Sequence, residues 1–427
     1  MRDKLGLKEL VAIGIGSMIG GGIFSVMGVA DEIAGHATVL VFVIGGIIAL
    51  FAGYNYAKLA LAYKVDGASY IYLKYAFPKT LAIAAITGWS VIVGYIGTLA
   101  LYAYTFGSYG AAMLGYADNY LVRSLLAFGI LTLFLWINLL GIKEMGESED
   151  VIVFFKVAIM MTMGIIGLFY LNPSHFQPLF DKSFSGVLLS AALVFVAFEG
   201  FQLITNSVAE TENPDRNTPL SIYLSITIVT LIYVVLAIAV IGILTPQEIK
   251  AAKEYAIAEA LKPILGEWGF VLASIAAMLA TSSAINGTLF GASRMMADIA
   301  KDGIFPSILS YKNAKTIPSH ALLSMYVLAT LFVLYGSLDS IIAFSSMTFL
   351  LVSLAVAIAN AKLYRQTNSS LIIILLSIAL MSITVSLMIY YLFENEPKTL
   401  FDIAMIYGLI IISFTFYYIL QRKHLKR

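Results

Sequence analysis

Apolar runs dominate this chain, and polar residues are confined to short intervals between them. A membrane-spanning helix needs roughly 20 apolar residues. Runs of about that length or longer fall at 8–33, 37–63, 81–114, 121–141, 149–171, 185–209, 219–243, 266–297, 318–336, 339–363, 369–393 and 399–420. The pattern predicts an all-α polytopic membrane protein with about twelve transmembrane helices.

Two of the runs are interrupted near mid-membrane. The first contains Gly14-Ile15-Gly16-Ser17-Met18-Ile19-Gly20-Gly21-Gly22-Ile23-Phe24, and three adjacent glycines are poor helix formers. Inside a bilayer, unwound backbone persists only where it is buried in protein or lines a polar cavity. Residues 16–22 therefore read as a broken helix. Its inner half ends near Gly16 and offers free carbonyls to a cation or amine, while its outer half begins near Gly22 and offers N–H groups to a carboxylate. The sixth run carries Phe195-Val196-Ala197-Phe198-Glu199-Gly200-Phe201-Gln202, a second polar interruption at comparable depth. Because the breaks are five spans apart, the second set of five crosses with opposite polarity, as in an inverted repeat. The expected organisation is a transporter core over 1–365, with repeat one at about 8–171 and repeat two at about 185–363. Residues 366–427 add helices 11 and 12 and a short basic tail.

Composition agrees with the pattern: 60% of the 427 residues are hydrophobic and 12% are charged. The mean hydropathy of +0.91 leaves no room for a soluble domain. The first run is too long, and wrongly flanked, for a cleaved signal peptide, and reads as a genuine span. The absence of cysteine excludes disulfide and thiolate chemistry. His36, His175, His320 and His424 lie scattered at span ends without metal-ligand spacing. No phosphate-cradling loop or nucleophile elbow is present, so no enzyme, ATP-driven pump, metal, cofactor or nucleic-acid partner is expected. Most of the 26 lysines and arginines, among them Lys58, Lys64, Lys74, Arg216, Arg294, Lys301 and Arg365, fall on the side of the two termini. That bias puts both termini in the cytoplasm of a cell membrane.

Two loops carry signals of their own. Thr245-Pro246-Gln247-Glu248 has the capping residue, helix-starting proline and third-position glutamate of a helix start, which predicts a surface helix to about Leu261. Such a helix makes an outer lid. Asp66-Gly67-Ala68-Ser69 to Pro78 reads as a polar interruption followed by an aromatic segment along the inner face.

Four motifs then occur in order. They are Gly16-x-x-Ile19-Gly20-x-Gly22-Ile23-Phe24, Phe198-x-Gly200-Phe201, Glu212-Asn213-Pro214-x-Arg216-x-x-Pro219, and Ala292-Ser293-Arg294 followed by Ala300-Lys301-Asp302-Gly303-x-x-Pro306. Together they resemble the signatures of the amino acid, polyamine and organocation transporter superfamily over spans one to ten. Phe154-Phe155-Lys156 resembles the fifth span of its proton-coupled archaeal amino acid transporters. The resemblance implies that the Lys156 amine occupies the place of the sodium ion in sodium-coupled relatives.

The residues assign roles on this basis. Backbone N–H groups of Gly20, Gly21 and Gly22 hold the substrate carboxylate, and carbonyls near Ser17, Ile19 and Phe195–Phe198 hold its amine. Phe198, Phe201 and Tyr95 are candidate walls or gates, with a plain core role as the alternative. Lys156, facing Gly16 and the hydroxyls of Thr281, Ser282 and Ser283, couples protonation to transport. Burial disfavours its charge while the oxygens favour it, a balance that a proton switch requires. The alternative for Lys156 is snorkelling to the inner interface. Glu199 departs from the family pattern, and three readings stay open: a structural carboxyl bonded to Gln202, a second proton carrier, or a counter-charge for an amine-rich substrate. The expected activity is proton-coupled symport of amino acids. An exchanger, a polyamine or organocation carrier, a substrate sensor and a channel are the alternatives.

Overall fold

The computed structural model describes residues 4–64, 68–141 and 145–424. Twelve passes are seen among them, and two consist of broken helices. The first pass is α1 (Leu7–Met18) followed by α2 (Gly21–Ala34); the chain turns at Gly35–Ala37 into α3 (Thr38–Tyr63). A short helix, α4 (Ala68–Ala76), precedes α5 (Leu81–Met113), α6 (Tyr120–Leu140) and α7 (Met145–Leu168). The sixth pass is α8 (Phe184–Leu193) continued by two 3₁₀ segments, Val194–Phe198 and Phe201–Glu210. Then come α9 (Pro214–Ile243), α10 (Pro246–Ala251), α11 (Ala256–Leu265), α12 (Glu267–Lys301), α13 (Ser319–Tyr335) and α14 (Leu338–Leu363). The last two passes are α15 (Leu371–Asn395) and α16 (Pro397–His424).

The order has the form that an inverted five-span repeat requires. Each set begins with a broken pass and has a short helical insertion between its second and third passes, α4 in one set and α10–α11 in the other. Because five passes separate them, these insertions fall on opposite sides of the membrane. The first broken pass and α9 pack together, α3 lies against α9, and α5 lies against α12 and α14. Glycine allows several of these contacts. A Cβ at Gly46 would meet the Thr230 hydroxyl of α9 at 2.3 Å, and one at Gly97 would meet the Ser345 hydroxyl of α14 at 2.6 Å. A buried amide chain ties the eleventh pass to the core: Asn55 donates to Ser377, Asn360 donates to Asn55, and Thr367 donates to Asn360.

Local chemistry sets the helix ends. The Asn119 side chain accepts from the N–H groups of Leu121 and Val122 to start α6, and Gly141, with φ of 71°, ends it. Asn213-Pro214 starts α9 with proline at its first position. At 35 residues, α12 extends about 52 Å, well beyond the roughly 30 Å of hydrocarbon, so its last turns project toward the N-terminal side.

Three expectations need correction or restriction. The unwinding is narrower than residues 16–22: α1 stays helical to Met18 and α2 begins at Gly21, which confines the break to Ile19 and Gly20. The outer loop helix is two helices, because the chain turns at Lys253–Tyr255 to bring Lys253 and Glu254 onto charged and hydroxyl partners. Its capping box at Thr245 and Glu248 is present, and the Thr245 bonds hold the Glu248 carboxyl below its usual range. Asp66 and Gly67, where the polar interruption begins, and the last three residues of the basic tail lie outside the described residues.

Candidate functional site

The first break is organised by a lysine. Lys156, on α7 and 2% exposed, donates from Nζ to the carbonyls of Gly16 at 2.6 Å and Ile19 at 2.7 Å. These are carbonyls that a helix C-terminus leaves without intrahelical N–H partners. Ile15 O accepts from Ile19 N–H, and Met18 O accepts from Gly20 N–H. The neighbours Phe154 and Phe155 are exposed on the outer face of α7. The lysine thus points inward and does not snorkel. Thr281 donates its hydroxyl to Ala277 and Met278 of its own helix. Ser283 lines the central cavity, and Ser282 precedes it on α12.

The two breaks interlock through glycine. Gly200 has φ of 126°, and a Cβ there would lie 2.6 Å from Ser17 C and 2.8 Å from Met18 N. No other residue satisfies both the backbone angle and the close approach. Gly22 reciprocates: a Cβ there would lie 2.8 Å from Ala197 Cα. Between the breaks stands Tyr233 of α9, whose hydroxyl lies 3.0 Å from Met18 O and 2.8 Å from Ala197 O. Its single proton is donated to, or shared between, one carbonyl from each broken pass. Phe42 and Phe198 pack edge-on against its ring. On the far side of the second break, Ser346 of α14 donates to Leu193 O and accepts from Val196 N–H.

Beside this junction lies a cavity of about 30 Å³, lined in part by Gly16, Ser17, Glu199, Gly200, Tyr95 and Tyr102. That volume suits a water and is far too small for an amino acid, so the site is contracted in this structure. Of the expected substrate contacts, Ser17 and Glu199 reach the cavity. Ile19, Gly20, Gly21, Gly22, Phe195, Phe198 and Phe201 do not line it. Gly20 and Gly21 are pressed against Tyr102, Thr281 and Ala284, which cover the first turn of α2. Phe201 packs edge-on against Tyr56. The carbonyls of Met18 and Ala197, next to the expected amine site, are already engaged by Tyr233. Glu199 is 4% exposed and accepts a short hydrogen bond from the Gln202 amide, whose oxygen accepts from Gly200 N–H.

Sequence reasoning missed Tyr102, Thr98 and Tyr233. Thr98 and Tyr102 lie three and seven residues after Tyr95, the spacing of one helix face, which was a usable signal. Tyr233 carried no local signal, because it sits in an unbroken apolar run.

A family model described as "Amino acid permease" matches residues 5–420. The chain belongs to the amino acid permease family. Among curated members, it is 31% identical over 428 residues to an uncharacterized protein of Methanocaldococcus jannaschii, covering 99% of this chain and 96% of that one. It is 27% identical to the branched-chain amino acid permease BcaP of Bacillus subtilis, over 85% of this chain and 82% of the relative. It is 26% identical to the vacuolar cationic amino acid transporter 8 of Arabidopsis thaliana, over 84% of this chain and 62% of the relative. In this permease the motif residues around both breaks occupy one contiguous junction, and the chain is a multi-pass membrane transporter.

Tyr233→Phe keeps the ring and its aromatic neighbours but removes the hydroxyl that joins Ala197 O to Met18 O, the latter keeping its bond from Gly20 N–H. It should lower stability by about 1–3 kcal/mol, read as a lower melting temperature of the purified protein. An unchanged melting temperature would contradict the bridging role.

Proposed function

We infer that this permease is a proton-coupled symporter that carries small amino acids across the cytoplasmic membrane by alternating access, with both termini in the cytoplasm. The observation that carries the reading is the Lys156 amine seated on the Gly16 and Ile19 carbonyls of the broken first pass. Protonated, it ties α7 to the break. Deprotonated, it loses charge-assisted bonds, and the tie loosens. A buried lysine whose protonation sets the strength of a contact between moving parts is a means of coupling proton flow to conformational change.

The substrate carboxylate goes to the first-turn N–H groups of α2, at Gly20, Gly21 and Gly22, once Tyr102 withdraws. Its amine goes to carbonyls near Ser17 and Phe195–Phe198, with Tyr233 yielding one of its acceptors. The unit of α1, α2, α3, the sixth pass and α9 rocks against α5, α6, α12 and α13.

The position of Glu199 in the cavity favours a second reading, a carrier or exchanger of cationic amino acids or amines. Relatives named for branched-chain and for cationic amino acids leave both substrate classes open. A thermal-shift screen of amino acids and amines identifies the ligand, since one at 100 times its Kd adds about 2.7 kcal/mol of stability. In proteoliposomes, uptake of that ligand should follow an inward proton gradient without sodium. Uptake that needs sodium at constant pH removes proton coupling, and uptake only into preloaded vesicles makes the permease an exchanger.

Glu199→Gln distinguishes the roles of the carboxyl. As a counter-charge, its loss should weaken cationic substrates about tenfold, roughly 1.4 kcal/mol, and spare neutral ones. Equal loss for both classes in a folded protein would exclude the counter-charge.

A further inference from the structure

Two elements continue from the central cavity toward the N-terminal side and line a second, larger space. On the sixth pass, Gly200 and Leu203 line the cavity, and Asn206 and Glu210 line the vestibule. On α12, Ala284, Gly287 and Thr288 line the cavity, and Gly291, Arg294 and Asp298 line the vestibule. Steps of three and four residues keep each series on one helical face. The vestibule encloses about 670 Å³, within the range of small-molecule sites, whereas the cavity encloses about 30 Å³.

The vestibule's chemistry is specific. The Arg294 guanidinium lies 3.4 Å from the centre of the Phe290 ring and donates from Nη1 to Phe290 O at 2.9 Å, which fixes its plane. No salt bridge to Arg294 occurs among the described residues. The nearby acids Asp298 and Asp302 are paired with Lys301 at 2.5 Å and Lys74 at 2.8 Å. Asn206 Oδ1 is buried with no hydrogen-bond partner. Gly291 stands between cavity and vestibule, and a Cβ there would meet nothing within 4 Å. A helix-interior glycine costs about 1 kcal/mol relative to alanine. Here no packing contact requires it, and a Cβ would stand in open space at the vestibule wall.

We propose that this vestibule is a second binding site for a zwitterionic amino acid, a release station about 15 Å along α12 from Ala284. The carboxylate docks on the Arg294 fork, and the ammonium group faces Asn206 Oδ1. A guanidinium seated over an aromatic ring and tied to a backbone carbonyl suits a planar carboxylate better than a lysine would. The proposal rests on the reading of this chain as an amino acid carrier, but its test does not require transport.

Because the sequence has no cysteine, Gly291→Cys places a single thiol at the vestibule wall. In the full-length protein, L-alanine should slow maleimide labelling of this thiol, while acetate or methylamine alone should slow it far less. Adding Arg294→Gln should raise the half-protecting L-alanine concentration about tenfold, equivalent to about 1.4 kcal/mol. Arg294→Lys should recover protection only in part. The thermal shift with L-alanine, to which both sites contribute, is read in the same samples and should shrink but survive in Arg294→Gln. Unchanged protection in the Arg294→Gln background, or no protection in the parent, overturns the vestibule site. Protection with a thermal shift that Arg294→Gln abolishes puts all L-alanine binding in the vestibule, which keeps that site and counts against L-alanine as a central-site substrate.

Discussion

A positive charge buried in the membrane interior has to be met by oxygen, and here the oxygen comes from broken backbone. The ammonium group of Lys156 and the carbonyls of Gly16 and Ile19 each satisfy the other. Without the lysine, the end of α1 would present unsatisfied carbonyls in a low-dielectric region, and without the break the lysine would have only side chains to face. Either alone is expensive in a bilayer. Together they make a joint that ties α7 to the broken first pass.

The surrounding structure holds this joint in register. Gly200 lies against Ser17 and Met18, Gly22 lies against Ala197, and Tyr233 spans a carbonyl from each broken pass. On the side away from the termini the loop that carries α10 and α11 is clamped. Lys253 Nζ lies 2.9 Å from Glu32 and 3.0 Å from Asp339, and its backbone carbonyl lies where a Cβ at Gly28 would be. The adjacent Glu254 accepts from Tyr104 and Ser108 and pairs with Arg123. The far end of the first pass, at α2, is thus fastened to α5, α6 and α14 through one turn of loop, while the cavity beside the breaks is contracted.

Much of this was legible in the sequence, for identifiable reasons. Twelve passes follow from apolar run length. The breaks follow from glycine where helix propensity demands otherwise, whereas the contact of Lys156 with Gly16 was implied by the resemblance of Phe154-Phe155-Lys156 to the family's fifth span, since depth alone left snorkelling open. What the sequence concealed was facing. Gly20 and Gly21 looked like exposed anion donors but are covered by Tyr102, Thr281 and Ala284, because closure of a cavity depends on helix rotation that no local pattern records. Gly20 and Gly21 share Tyr102 as a neighbour while Gly22 meets Ala197, so packing and backbone exposure are not separable from composition. The split of α10 and α11 also escaped, since Ala252–Tyr255 turns for the sake of distant partners such as Asp339.

The central claim is that Lys156 works by gaining and losing a proton, not by its size or permanent charge. Proton-driven accumulation by Lys156→Arg in proteoliposomes tests this most directly, because a guanidinium keeps the charge and the carbonyl contacts but does not deprotonate at these pH values. The account predicts that accumulation disappears while the protein still folds and still binds substrate in a thermal-shift assay. Accumulation at the level of the parent protein would contradict it.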